Sequence, residues 1–223
     1  MKQLIIVLLL AFSLAACEDN GVSTQDPTNT NGNPTNVDVV YEPFEVELTA
    51  GHYVAGTDIP AGVYTITAVS GYGNVHSSNM FSGGLNEIMS DEEEEYIVNE
   101  FKNAKLEKDV RLSVSSDLVI HITSEKAEVS TMTSRSQSGL VEVELSSGNY
   151  VAGNDFAVGI YDIVHVSGSM GNVSSSNMFD GGINEILGPG NDNFTIKEFK
   201  NAHFEENDEL SVSGITIKLI PSN

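Results

Sequence analysis

Basic residues are scarce in this chain: ten Lys and Arg stand against thirty-two Asp and Glu, for a formal net charge of -22. A polyanion of that density repels phosphate backbones and anionic lipid headgroups, which argues against nucleic acid as a partner. Cysteine is nearly absent. Cys17 has no second thiol to pair with, so no intrachain disulfide can staple the fold. Tryptophan is missing, and the aromatic residues are Tyr and Phe, both at home on a half-buried pleated surface. No HExxH, GxSxG or P-loop spacing occurs, so the commonest signatures of zinc hydrolysis, serine hydrolysis and nucleotide binding are absent. Long apolar runs are lacking too. The one hydrophobic stretch, Leu4 to Leu14, is interrupted at Ser13 and falls short of the roughly 20 residues of a permanent membrane span.

That stretch is nevertheless informative. A positive Lys2, a short apolar run and then Leu14-Ala15-Ala16-Cys17 follow the plan of an exported leader. The ending resembles the lipobox of bacterial lipoproteins. The resemblance implies that residues 1–16 are removed as a signal peptide and that the Cys17 sulfur carries a lipid holding the chain to a membrane. Residues 17–42 then read as the lipidated cysteine and a flexible tether, because EDNGVSTQDPTNTNGNPTN is rich in Asn, Thr, Pro and Gly and has little to bury.

Beyond the tether the chain is written twice. Tyr53-Val54-Ala55-Gly56 returns as Tyr150-Val151-Ala152-Gly153, Glu100 to Ala104 as Glu198 to Ala202, and Leu112 to Ser115 as Leu210 to Ser213. SSNMFSGGLNEIM, from Ser77, returns as SSNMFDGGINEIL, from Ser175. The parsing is a β domain over 43–125, a Ser/Thr-rich linker over 126–140 and a second β domain over 141–223. Within each copy, runs such as GVYTITAV, VRLSVS and ITIKLI are β-branched and partly alternating, with Gly and Asn clusters between them. The expected fold is all-β: two tandem antiparallel sandwich or jelly-roll-like domains.

Taken together, YVAGxDIPAGxYxI, SSNMFxGGxNEI and EFKNA resemble a repeat found in secreted proteins and lipoproteins of Firmicutes. The resemblance covers both copies and departs at Ala157-Val158-Gly159, where the first copy has Pro60-Ala61-Gly62. It implies a Gram-positive cell surface and a β domain, and it implies no activity.

The duplication filters hypotheses about chemistry. All five histidines fall at unmatched positions, so no histidine site is repeated with the domain. Matched carboxylates exist at Asp58/Asp155, Glu87/Glu185 and Glu100/Glu198. Asp58 and Asp155 read as turn formers bonding their own backbone, each with a glycine four residues on that tolerates an unusual dihedral. The loops Asp91 to Glu95 and Gly190 to Asn193 offer oxygen ligands, but without the spacing of a calcium loop they read as solvated. No cofactor or metal is expected. In the repeated string, Met80, Phe81, Leu85 and Ile88, with Met178, Phe179, Ile183 and Ile186, are expected in the core. Glu87 and Glu185 are expected to pair with Lys102 and Lys200. The polar residues Asn79, Asn86, Glu87, Asn177, Asn184 and Glu185 are left as the candidate ligand surface, because packing does not account for repeated polar loop residues. The functional expectation is a lipid-anchored binding or adhesion module on the outer face of the cell membrane. Its partner would be an extracellular glycan or protein. The alternative is a glycan-acting enzyme of the cell envelope.

Overall fold

In the computed structural model, residues 39–92, 95–136, 138–190 and 194–222 are described. The leader, Cys17 and most of the tether lie outside them. Among the described residues sixteen strands carry the fold. The first copy contains β1 (Tyr41–Leu48), β2 (Gly51–Val54), β3 (Gly62–Ser70), β4 (Tyr72–Ser77), β5 (Asn86–Ser90), β6 (Glu100–Leu106), β7 (Arg111–Val114) and β8 (Val119–Glu128). The second repeats them in order as β9 (Val143–Leu145), β10 (Gly148–Val151), β11 (Gly159–Ser167), β12 (Gly171–Ser175), β13 (Asn184–Leu187), β14 (Glu198–Phe204), β15 (Glu209–Val212) and β16 (Thr216–Pro221). Among the described residues no helix is long and apolar enough to cross a membrane.

In the first copy the sheet order β1-β8-β3-β6 faces β5-β4-β7-β2; the second copy has β9-β16-β11-β14 facing β13-β12-β15-β10. Two four-stranded antiparallel sheets interleaved in this way make a jelly roll. The alternation read in the sequence is what folds it. On β3, Tyr64, Ile66 and Ala68 point inward while their neighbours remain half-exposed, and Tyr161 and Ile163 do the same on β11. Each isoleucine among them, taken fully out of water, contributes about 1.5–3 kcal/mol. One apolar cluster fills each sandwich, built from Ile66, Leu112 and Ile122 in the first copy and Ile163, Leu210 and Ile217 in the second.

Repeated polar devices fix the turns. Tyr64 donates its hydroxyl to the Pro60 carbonyl at 2.6 Å, and Tyr161 to Ala157 at 2.8 Å. Asp58 and Asp155 each accept the backbone N–H four residues earlier, from Val54 and Val151, at 2.7 Å. The glycine at the end of that turn has a different job from the one expected. Gly62 does not adopt a left-handed dihedral; it leaves room, since a Cβ there would stand 3.2 Å from both Ser124 Oγ and the Tyr64 ring.

Two segments differ from the sequence reading. β1 starts at Tyr41, inside the stretch expected as tether, because Tyr41 and Glu42 pair with Glu128 and Ala127. The stretch expected as a linker is pinned to the first copy as far as Arg135. β8 runs on to Glu128, Thr133 donates its N–H to the Gly56 carbonyl at 2.9 Å, and Arg135 grips Asp58 in a buried ion pair, its Nε 2.9 Å from Oδ1.

The copies also share a seam. β2 lies parallel to β14, with Gly51 beside Lys200, so half of each sandwich merges into one eight-stranded sheet. Ala50, from the first copy, is buried in the apolar cluster of the second.

Candidate functional site

The repeated string is a hinge-like turn closing the β4–β5 hairpin and its twin β12–β13. Gly83 and Gly181 take φ of 91° and 96°, a region side chains avoid. The following glycine is needed for space: a Cβ on Gly84 would lie 2.0 Å from Ser77 Oγ, and one on Gly182 2.0 Å from Ser175 Oγ. Those serines accept the N–H of Leu85 and Ile183 at 3.0 and 2.9 Å. Asn79 and Asn177 donate from Nδ2 to the carbonyls of Lys105 and His203, at 2.9 and 2.7 Å, strapping each turn to β6 or β14. These two asparagines therefore brace the fold.

The other candidate residues do not converge. Asn86 and Asn184 are exposed on β5 and β13, and Asn86 Oδ1 accepts from Asn74 at 3.2 Å. Glu87 is half-buried on β5. Neither glutamate pairs with the expected lysine. Lys102 binds Glu100 at 2.9 Å, two residues away on β6, while Lys200 is held by Glu198 on its own strand at 2.7 Å and by Asp162 on the paired strand β11 at 2.8 Å.

Glu185 stands apart. Its two carboxylate oxygens accept the N–H of Ser116, in the other copy, each at 3.2 Å. Burial pushes its carboxyl up to about 7, against the opposing pull of that N–H. Close by on the same seam, His52 Nε2 donates to the Gly182 carbonyl at 2.7 Å, which leaves Nδ1 to accept from Ser113 Oγ at 2.8 Å. Its ring meets Phe199 edge-on at 5.1 Å. Burial lowers His52 to about 4, so the imidazole is neutral. Asn201 Nδ2 completes the seam by donating to the His52 carbonyl at 2.8 Å. The cavity beside it, about 400 Å³, is lined by Ala50, Ser116 and Leu118 on one side and Thr195, Ile196 and Glu198 on the other.

The core expectation for the string fails at its aromatic. Phe81 and Phe179 are 93% and 86% exposed, at the outer tip of each turn. Of the eight residues expected inside, only Leu85 and Ile183 are buried. The turn is too tight to fold its tip back onto the sandwich, so the ring points outward. A second matched pair, Tyr96 and Phe194, is 90% and 80% exposed at the far end of β5 and β13. Ile88 and Ile186, on the strands between, are exposed as well. Sequence reasoning assigned the residues of the repeated string by hydrophobicity alone. Their clue was the Gly-Gly pair, which marks a turn too tight for a buried tip. Among the described residues, no group of three or more His, Cys, Asp or Glu could hold a metal ion. The acidic loops lie partly outside the described residues.

No family model and no curated protein matches the chain. Among solved structures, a cupin 2 conserved barrel domain protein from Leptotrichia buccalis is similar over 80% of this chain and 76% of its own, at 11% identity and a TM-score of 0.20. At that score the likeness carries no argument, and the jelly roll stands on its own strand order.

Proposed function

We propose that this chain is a lipid-anchored surface protein whose jelly rolls bind an extracellular glycan or protein without catalysing a reaction. The observation that carries the binding reading is the duplicated exposed aromatic. Phe81 and Phe179 hold almost fully open rings at equivalent tips, where neither contributes to a core. Large apolar side chains kept in water at matched positions mark contact surfaces. Among the matched carboxylates, all but Glu87 have structural partners. Asp58 and Asp155 hold turns, Glu100 and Glu198 hold lysines, and Glu185 binds the Ser116 amide.

Binding of the intact ectodomain to glycan arrays and envelope extracts, compared with Phe81→Ala, Phe179→Ala and the double variant, tests the reading. Each single change should weaken retention and the double should abolish it, with the melting temperature unchanged. Undiminished retention by the double variant would overturn it. Membrane anchoring rests on Leu14-Ala15-Ala16-Cys17. Cys17→Ser should leave an uncleaved, unlipidated precursor; normal processing of that variant would remove the anchor from the proposal.

A further inference from the structure

The seam between the copies joins unlike edges, β2 of the first copy and β14 of the second. Their counterparts, β10 and β6, end their sheets with no strand beside them among the described residues. An uncovered strand edge is a template for another strand. We propose that these two open edges pair between molecules, so that a second copy of this chain lays its β6 beside β10 and chains add head to tail.

The open edges keep the geometry of the closed ones. β6 and β14 carry the same bulge opposite Tyr64/Ile66 and Tyr161/Ile163, with Asn103 and Asn201 at φ 62° and 58°. β2 and β10 keep the same register, Gly51 opposite Val114 and Gly148 opposite Val212. In the seam the glycine is obligatory, since a Cβ on Gly51 would stand 2.6 Å from Lys200 Cβ and 2.7 Å from its carbonyl oxygen. Gly148 offers a similar opening, with the Tyr150 hydroxyl and ring 3.1–3.3 Å from where a Cβ would stand. The strand that would enter keeps Lys102 and Asn103, matching the Lys200 N–H that reaches Ala50 at 3.0 Å and the Asn201 amide that reaches His52. Asn149 replaces His52, and its side-chain N–H can serve the Gly84 carbonyl as His52 serves Gly182.

Exposure records what such a contact would cover. The Lys102 side chain is 65% exposed and that of Lys200 33%; Phe101 is half-exposed where Phe199 is buried. The open edges lack several features of the seam: Ser147 stands where Ala50 enters the neighbouring core, Asn149 where His52 meets Phe199, and Thr65 where Asp162 holds Lys200. Glu209 and Ser82 stand where Arg111 and Asp180 form an ion pair, so the intermolecular contact is weaker than the internal one. A net charge of -22 opposes it further, and salt favours it by screening. Because the contact is heterologous, it need not close on itself, and more than two chains can join.

Thiol crosslinking tests this on the full chain, with Cys17→Ser so that only introduced thiols react. Asn149→Cys chains are mixed with Asn103→Cys chains at high salt and treated with a short bis-maleimide. Covalent dimers should form in the mixture and not in either variant alone. Adding Gly148→Val to the Asn149→Cys chain should cut the yield about tenfold, with circular dichroism confirming that the variant is folded; Gly148→Ala serves in its place if it is not. No dimer in the mixture, equal yields in all three samples, or a yield indifferent to residue 148 would each overturn the proposal.

Discussion

The Arg111 guanidinium lies 3.5 Å from the Asp180 carboxylate across the seam, and each residue stands where the other copy has a different one, Glu209 and Ser82. The pair thus belongs to the seam and not to the repeat. Asp180 is 93% exposed, so the charge interaction itself is small, on the order of 0.2–1 kcal/mol. Arg111→Ala should cost more than Asp180→Ser, because Arg111 also packs against the turn and donates to the Phe179 carbonyl. Chemical denaturation of the two single variants and the double checks this. A coupling well above about 1 kcal/mol would refute a solvent-exposed pair.

Gly51→Val and Gly148→Val form a second comparison. The first forces a side chain into Lys200 and should destabilise the seam by about 1–3 kcal/mol, separating one melt into two. The second meets the Tyr150 hydroxyl and ring at 3.1–3.3 Å, a side chain that must give by a few tenths of an ångström, and should cost the isolated chain less than the first. Differential scanning calorimetry distinguishes them. Equal losses would show that both glycines serve only their own sandwich.

The seam also sets a pH dependence. A carboxyl raised in the folded state, as Glu185 is from 4.5 to about 7, gives stability that is complete below 4.5 and lost as pH rises through 7. A histidine lowered from 6.5 to about 4, as His52 is, gives stability complete above 6.5 and lost as pH falls through 4. The two trends oppose each other between 4.5 and 6.5. Glu185→Gln removes only the first. Its melting temperature should rise with pH across that window and exceed the parent's above pH 7, while the parent's changes less. Parallel profiles for the two proteins would refute the assignment.

Charge makes a further prediction. The first copy carries the acids of Asp91 to Glu95 and the second those of Glu205 to Glu209, with few bases near either. Sodium chloride should therefore raise the melting temperature, as the Debye length shrinks from about 10 Å at 0.1 M to about 3 Å at 1 M. Calcium at matched ionic strength should add nothing. A calcium-specific rise would assign ligands to the acidic loop.

The jelly roll was legible in the sequence because alternation on strands such as GVYTITAV reports directly which side chains face inward. The turn devices were partly legible: Asp58 and Asp155 act as read, whereas Gly62 supplies space where a dihedral was expected. The candidate surface was not. Glu87 and Glu185 sit in nearly identical strings, yet only Glu185 meets the other copy, and no local pattern can report a contact between distant edges. Phe81 was misplaced because hydrophobicity names a residue able to be buried without saying whether its turn can reach the core. The legible trace of the seam was the set of charges that fail to repeat, Arg111 and Asp180 among them.

The register of β1 on β8 has a mechanical consequence. Tyr41 pairs with Glu128, so the chain enters and leaves the first jelly roll side by side. A pull between those two points does not slide the strands along each other. It peels them apart from one end, one hydrogen-bonded pair at a time, which is the weak direction of an antiparallel ladder. The Arg135–Asp58 ion pair lies beyond that exit. Among the described residues only two hydrogen bonds stand just outside the ladder, from Val129 N–H to the Val40 carbonyl at 3.1 Å and from Val40 N–H to Ser130 Oγ at 2.8 Å. Single-molecule pulling across residues 41 and 128 should open β1 at lower force than pulling across residues 48 and 128, where the same ladder is loaded in shear.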